Sequence, residues 1–235
     1  QWQNPHGLTQ VGHISTAHDL ALLAHALWRD FPVARPWLGV KTYTWNGVTQ
    51  SNRNSLLWRD TRVDGLKTGH TDAAGYNLAA SSLWRVRVDE DVYDWRLTSV
   101  VLGASSAAVR ASDSAALFAW GRSAYTPRRL YAKGDALGQV KIAGALNPVQ
   151  VSAAAPIWAL IAQTQSIQGL RYALYPNPKM TAPLAAGTVV AQLHIYDGQT
   201  LLTQAPAVAT HDIARASWYA HMWATLTAWV KSLFV

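Results

Sequence analysis

The sequence predicts an α+β fold: an antiparallel sheet with helices over residues 1–126, a small all-β, sandwich-like domain over 127–212, and an amphipathic helix over 213–235. Three observations predict it. Alternating, strand-like runs with short polar turns dominate between Lys41 and Leu102 and are flanked by two stretches of helical periodicity. Beyond Pro127 the chain changes to short β-branched runs punctuated by Pro and Gly. The final segment returns to helical spacing with one aromatic-rich side.

Taken in order, Thr16-Ala17-His18-Asp19 reads as a capping box, because the Thr hydroxyl can accept the amide three residues on while a carboxylate there complements the helix dipole. The helix should run from Ala17 to Trp28. Leu20, Leu23, Ala24 and Leu27 recur at its apolar spacing, and Pro32 with Pro36 ends it. Between Lys41 and Val48, Tyr43 and Trp45 alternate with Thr42 and Thr44, then Asn46-Gly47 supplies the positive φ values of a type I′ hairpin turn. Strands are expected at Val63–Thr68, Tyr76–Ser81, Val86–Val92 and Leu97–Leu102. Asp64-Gly65 reads as a turn and Asp89-Glu90-Asp91 as a polar turn between neighbouring strands. From Ala108 to Tyr125 a second helix should bury Val109, Ala116, Leu117, Trp120 and Ala124 on one face.

In the second domain, strands are expected at Gly138–Ile142, Val149–Ser152, Ile157–Ile161, Leu170–Leu174 and Thr188–Ile195, with Asp197-Gly198 turning into Leu201-Leu202. From Ala216 onward, Trp218, Tyr219, Met222, Leu226, Trp229, Val230 and Leu233 fall on one side of a helix. Aromatic residues at the apolar margin suit a helix lying in a bilayer interface. The alternative is a helix docked on its own protein.

Composition narrows the chemistry. Among 235 residues, half are apolar, 12 are Trp and none is Cys, so a real core is available while disulfides, thiolate nucleophiles and Cys-based metal sites are excluded. Glu90 is the single glutamate. A His-Glu-x-x-His metalloprotease, a glycosidase with paired glutamates and a Glu-based class A β-lactamase therefore cannot be assembled. The net charge of +7 suits an anionic partner, but the basic residues are scattered and no nucleic-acid signature appears, so no nucleic acid is expected. Gln1 to His6 lacks the pattern of a signal peptide, which leaves the chain mature, truncated or cleaved, and no apolar run reaches a spanning length. His13, His18 and His25 lack an obvious carboxylate partner and do not argue for a metal.

The most informative stretch is Val63-Asp64-Gly65-Leu66-Lys67-Thr68-Gly69-His70-Thr71. Lys-Thr-Gly is one of three signatures of serine enzymes that react with penicillin, and here it closes a strand-like run and leads into Gly75-Tyr76-Asn77-Leu78. With Asn4-Pro5-His6-Gly7-Leu8, Gly12 to Leu20, Asn52-Arg53-Asn54-Ser55-Leu56-Leu57 and Trp120-Gly121 in the same order, the chain resembles the low-molecular-mass penicillin-binding proteins, the serine D-alanyl-D-alanine carboxypeptidase family. The resemblance implies the C-terminal part of a β-lactamase/transpeptidase-like catalytic domain, followed by the family's β domain and terminal helix. The segment Leu83–Trp95 departs from it by being longer than the family's connection.

That resemblance implies removal of the terminal D-Ala from peptidoglycan stem pentapeptides through an acyl-enzyme, inhibition by β-lactam antibiotics, and no cofactor or metal. It implies a periplasmic location on the outer face of the cytoplasmic membrane, with residues 213–235 as a peripheral anchor. Of the catalytic groups, Lys67, Thr68, Gly69 and His70 are present. Lys67 and Thr68 would bind the substrate carboxylate by charge-assisted hydrogen bonds. Gly69 would let the substrate backbone approach, and the His70 amide would serve the oxyanion hole. No Ser stands three residues before a Lys or two before an Asn, so the nucleophile, carried in a Ser-x-x-Lys segment, is expected outside this chain, which alone should not turn over substrate. The competing readings are a D-Ala endopeptidase or β-lactamase on the same fold, and a non-catalytic scaffold. Arg53 and Asn54 read as a structural loop network.

Overall fold

The structure is a computed structural model that describes residues 1–88 and 91–216. The chain divides into two compact units, Gln1–Ala124 and Tyr125–Val235.

In the first unit, α1 (Ala17–Asp30) starts where the Thr16 hydroxyl accepts the Asp19 amide at 3.1 Å, as the capping pattern requires. Ala24 is buried and Leu20 and Leu27 are half-buried, but Leu23 is exposed. A 3-10 turn at Pro32–Ala34 and the short α2 (Arg35–Leu38) follow. Strands β1 (Thr42–Trp45) and β2 (Val48–Ser51) pair as a two-residue hairpin, with φ of 46° at Asn46 and 76° at Gly47, the left-handed values of a type I′ turn. The short α3 (Leu56–Arg59) leads to a three-stranded antiparallel sheet in the order β3-β4-β5: β3 (Val63–Thr71), β4 (Gly75–Val88) and β5 (Asp91–Ala104).

Two expectations change here. Tyr76–Ser81 and the start of Val86–Val92 are one continuous strand, and the long segment Leu83–Trp95 extends β4 and β5 as a two-stranded ribbon past the end of β3, pinned by an Arg85–Asp94 ion pair at 2.8 Å. The turn expected at Asp89-Glu90-Asp91 falls on residues 89–90, outside the described residues. Asp64-Gly65 is not a turn. It sits inside β3 at a register shift against Ser81 and Ser82, and Asp64 spends its carboxylate on Arg96 of β5.

The helix α4 (Ala107–Ala124) lies on one face of this sheet, where Ala111 and Phe118 pack with Leu56, Leu57, Val63, Leu78 and Ala80. On the other face α1 meets β5 and β4. The face that α4 buries is not the one its apolar periodicity predicts. Arg110, Ala111, Ser114, Phe118 and Gly121 are buried, whereas Leu117 is 43% and Trp120 59% exposed. The inward Arg and Ser are tolerated because each finds backbone carbonyls to bond.

The second unit is all β. Strands β6 (Tyr125–Tyr131) and β9 (Ile157–Ala162) pair, and β10-β11-β12-β8-β7 form a five-stranded antiparallel sheet from β7 (Ala136–Val140), β8 (Val149–Ala153), β10 (Arg171–Pro176), β11 (Val189–Asp197) and β12 (Thr200–Ala209). The alternating Ile157, Ala159 and Ile161 of β9 pack against Leu193 and Ile195 of β11, so the two sheets enclose one core; Val149, Val151, Val190 and Ala207 help to build a second. Strand β6 lies outside the expected strands, because Pro127 and the pair Arg128-Arg129 obscure its alternation. Ile213 bridges to Leu184, and the Ala216 amide donates to Gly144 O at 2.8 Å. The amphipathic helix expected over 213–235 therefore does not begin at 213, where residues 213–216 run along the β unit, and its remainder, 217–235, lies outside the described residues.

Candidate active site

The Lys67-Thr68-Gly69-His70 segment occupies β3, an edge strand of its sheet within this chain. Its register pairs Lys67 with Ala79, Thr68 with Leu78, Gly69 with Asn77 and His70 with Tyr76. Side chains alternate along a strand. Thr68 and His70 therefore share the face that carries Tyr76, Leu78 and helix α4, and Lys67 points to the other. An edge strand also leaves every second residue's N–H and C=O outside the ladder, available to an added extended chain.

Lys67, Gly69 and His70 are exposed and Thr68 is half-buried. The Lys67 ammonium folds back onto its own strand and donates to the Thr68 carbonyl oxygen. The His70 ring packs on Tyr76 with centroids 4.0 Å apart and planes tilted by 36°, so cross-strand packing holds the imidazole. Among the described residues other than its two chain neighbours, a Cβ on Gly69 would come no closer than 3.9 Å to any atom, and its φ is not in the left-handed region.

Three devices fix the strand. Asn54, 1% exposed, donates from Nδ2 to Gly65 O at 3.0 Å and accepts the Leu56 amide at 3.2 Å, while Asn52 accepts the Asn54 amide and donates to Val40 O, each at 2.9 Å. The structural loop network expected there is thus present for Asn54. Gly39 lies so close beneath β3 that a Cβ would meet Asp64 O at 2.9 Å. On the α4 side Arg110 is 4% exposed and donates to Arg53 O at 2.9 Å, Asn77 O at 3.3 Å and Gly69 O at 3.4 Å. Its guanidinium also lies 5.6 Å from the Tyr76 ring centroid. Burial lowers its pKa, the neighbouring Arg53 adding to the effect, although a guanidinium stays charged at neutral pH.

Arg110, Tyr76 and Arg96 escape sequence reasoning. For Arg110 a signal existed: a lone Arg in an alanine-rich run, with Ser114, Phe118 and Gly121 at helical spacing, marks one stripe. Hydrophobic periodicity favoured the neighbouring stripe instead. Among the described residues no three His, Asp or Glu side chains gather as a metal site, and the His13 ring accepts the Gln3 amide at 3.0 Å.

Residues 1–106 match the family model of D-alanyl-D-alanine carboxypeptidase, and residues 125–215 match that of the penicillin-binding protein 5 C-terminal domain. The chain is 33% identical to D-alanyl-D-alanine carboxypeptidase DacD of Escherichia coli K12, covering 94% of this chain and 55% of the relative, and 32% identical to DacA of Haemophilus influenzae, covering 98% and 57%. Penicillin-binding protein 5 of Haemophilus influenzae superposes with a TM-score of 0.65 at 28% identity, over 91% of this chain and 61% of that one. A penicillin-binding protein 3 from Streptococcus pneumoniae shares the fold at a TM-score of 0.68 and 24% identity, over 85% and 57%. The chain spans about half the length of the curated relatives it matches.

A sheet with Lys-Thr-Gly on its edge, covered by helices and followed in sequence by a separate β unit, thus places the chain among the penicillin-binding proteins. It belongs to their D-alanyl-D-alanine carboxypeptidase family, as the C-terminal part of the catalytic domain together with the family's β domain.

Proposed function

We propose that this chain is part of a serine-type D-Ala-D-Ala carboxypeptidase that trims the terminal D-Ala from peptidoglycan stem pentapeptides and is acylated by β-lactams. The observation that carries the reading is the β3 edge, where a cation, a hydroxyl and an unobstructed glycine stand on consecutive residues. A stem peptide adds to β3 as an extended chain. Its terminal carboxylate draws the Lys67 ammonium away from Thr68 O and accepts the Thr68 hydroxyl. Gly69 leaves room for the substrate backbone, and the His70 N–H serves the oxyanion.

The nucleophile belongs to a Ser-x-x-Lys segment absent from this chain. Its serine oxygen attacks the penultimate D-Ala carbonyl carbon. The C–N bond breaks, the terminal D-Ala amine departs with the serine's proton, and water then hydrolyses the ester. With a β-lactam the same attack opens the ring, and the leaving nitrogen stays tethered in the acyl-enzyme.

The location we propose is periplasmic, on the outer face of the cytoplasmic membrane, with 217–235 as the peripheral anchor, a reading supported by the aromatic-rich apolar side of that segment. The test of the catalytic reading is fluorescent penicillin labelling of the longer protein that includes the Ser-x-x-Lys segment, together with muropeptide analysis. Labelling and loss of pentapeptides are expected for the wild type and neither for Lys67→Ala. Robust labelling of Lys67→Ala would remove Lys67 from the site, and cleavage of crosslinks without loss of terminal D-Ala would make the protein an endopeptidase.

A further inference from the structure

Helix α4 buries a cation under the candidate site without giving it an anion. Among the described residues, no carboxylate lies within ion-pair distance of Arg110; its partners are the carbonyl oxygens of Arg53, Gly69 and Asn77. Burying an arginine this way costs desolvation that no Coulombic partner offsets, and a neutral residue could fill the same space at lower cost. The location of the charge says what it does. Arg53 and Asn77 flank the Lys-Thr-Gly strand, and Gly69 O belongs to the peptide group whose nitrogen is that of His70.

We propose that Arg110 is a positioning residue for the oxyanion site: its buried guanidinium polarises the Gly69–His70 peptide group from the carbonyl end, making the His70 N–H a stronger donor to the oxyanion while holding β3 in register with β4. This rests on the carboxypeptidase reading, which assigns that N–H to the oxyanion. A positive charge beside a carbonyl oxygen draws electron density across the amide and strengthens the hydrogen bond its N–H can give. At 3.4 Å the Arg110–Gly69 contact is long for a strong hydrogen bond, so the effect is that of a charge on a dipole in a poorly solvated place. The cation stays where it is throughout the reaction, and so no reorganisation accompanies the appearance of negative charge.

The experiment uses the longer protein carrying the Ser-x-x-Lys segment, with Arg110→Met and Arg110→Lys variants. Readouts are the acylation rate by a fluorescent penicillin, its half-saturating concentration, the infrared stretching frequency of the acyl-enzyme carbonyl, and thermal melting. Removing an entire oxyanion donor costs roughly a hundredfold or more, so loss of its polarisation should slow acylation by about tenfold. Arg110→Met should show that loss with little change in half-saturation and a carbonyl band at higher frequency. Arg110→Lys, which keeps the charge, should recover most of both.

A folded Arg110→Met protein with the wild-type band overturns the proposal even if its rate falls, because Arg110 would then only hold the strand. If Arg110→Met does not fold, Arg110→Lys decides: a wild-type band with a lowered melting midpoint supports the proposal, and a band moved to higher frequency overturns it. Wild-type protein that takes up no penicillin defeats the carboxypeptidase reading itself, whereas a labelled wild type with an indistinguishable Met variant defeats only the role of Arg110.

Discussion

Asp64 of β3 and Arg96 of β5 form an ion pair that spans the central strand, Arg96 Nη1 lying 2.7 and 2.8 Å from the two carboxylate oxygens. The same nitrogen donates to Ser81 Oγ of β4 at 2.5 Å, and the guanidinium stacks on the Trp28 ring of α1 with its centre 3.7 Å from the centroid. One side chain thus ties all three strands to the covering helix, at a point on β3 three residues before Lys67. Arg96→Met should lower stability by about 2 kcal/mol, because Asp64 and Ser81 lose a charged donor and Trp28 its stacking partner. In thermal melting this amounts to a midpoint roughly 5 °C lower. An unchanged midpoint would show the network to be dispensable.

Asn54 is the second tie to β3. Because it is buried and bonded on both ends of its amide, Asn54→Ala leaves Gly65 O and the Leu56 amide without these partners. The expected loss is about 2–3 kcal/mol in urea unfolding. Asn54→Asp should cost at least as much, since a carboxylate cannot donate to Gly65 O.

Gly69→Ala separates folding from binding. With no atom closer than 3.9 Å to the added methyl group, the melting midpoint should stay within about 2 °C of wild type, while penicillin labelling of the longer protein falls at least tenfold. Equal labelling in the two proteins would remove the close approach of substrate to β3.

Acid should weaken the first unit through Asp60. The Arg62 guanidinium bonds both its oxygens, at 2.8 and 2.9 Å, and holds its pKa below the usual carboxylate value. The folded pKa is below the unfolded one, so the stabilisation is complete above the ordinary carboxylate pKa of about 4 and is lost as pH falls through the lower folded value. Asp60→Asn should therefore flatten the acid limb of the stability profile below about pH 4 and leave its shape at pH 7 and above unchanged. Urea unfolding across pH 2–7 measures it.

The terminal segment is testable without enzyme activity. Co-sedimentation with anionic liposomes should be lost on deletion of 217–235 and retained by wild type. Binding that survives the deletion would place the membrane contact elsewhere.

Local chemistry was legible in the chain. The Thr16 cap, the Asn46-Gly47 turn, the strand bearing Lys67 and the division into an α+β part and a β part each depend on residues near one another in sequence, where propensity and steric rules act directly. Ordered sequence blocks from Asn4 to Gly121 sufficed for the family, because the residues that carry that likeness are the same local devices.

What only the tertiary structure decided is which face each element turns inward. Periodicity gave α4 a stripe of Val109, Ala116, Leu117 and Trp120, yet the helix buries Arg110 and Ser114, because carbonyls from three distant segments converge on the guanidinium. Asp64 reads as a turn residue until Arg96, thirty-two positions away, is brought beside it by the strand register. A sequence displays the hydrophobicity and local propensity of each residue, but a buried charge or polar group is stable only through partners that folding supplies, and those partners cannot be read from the residues next to it.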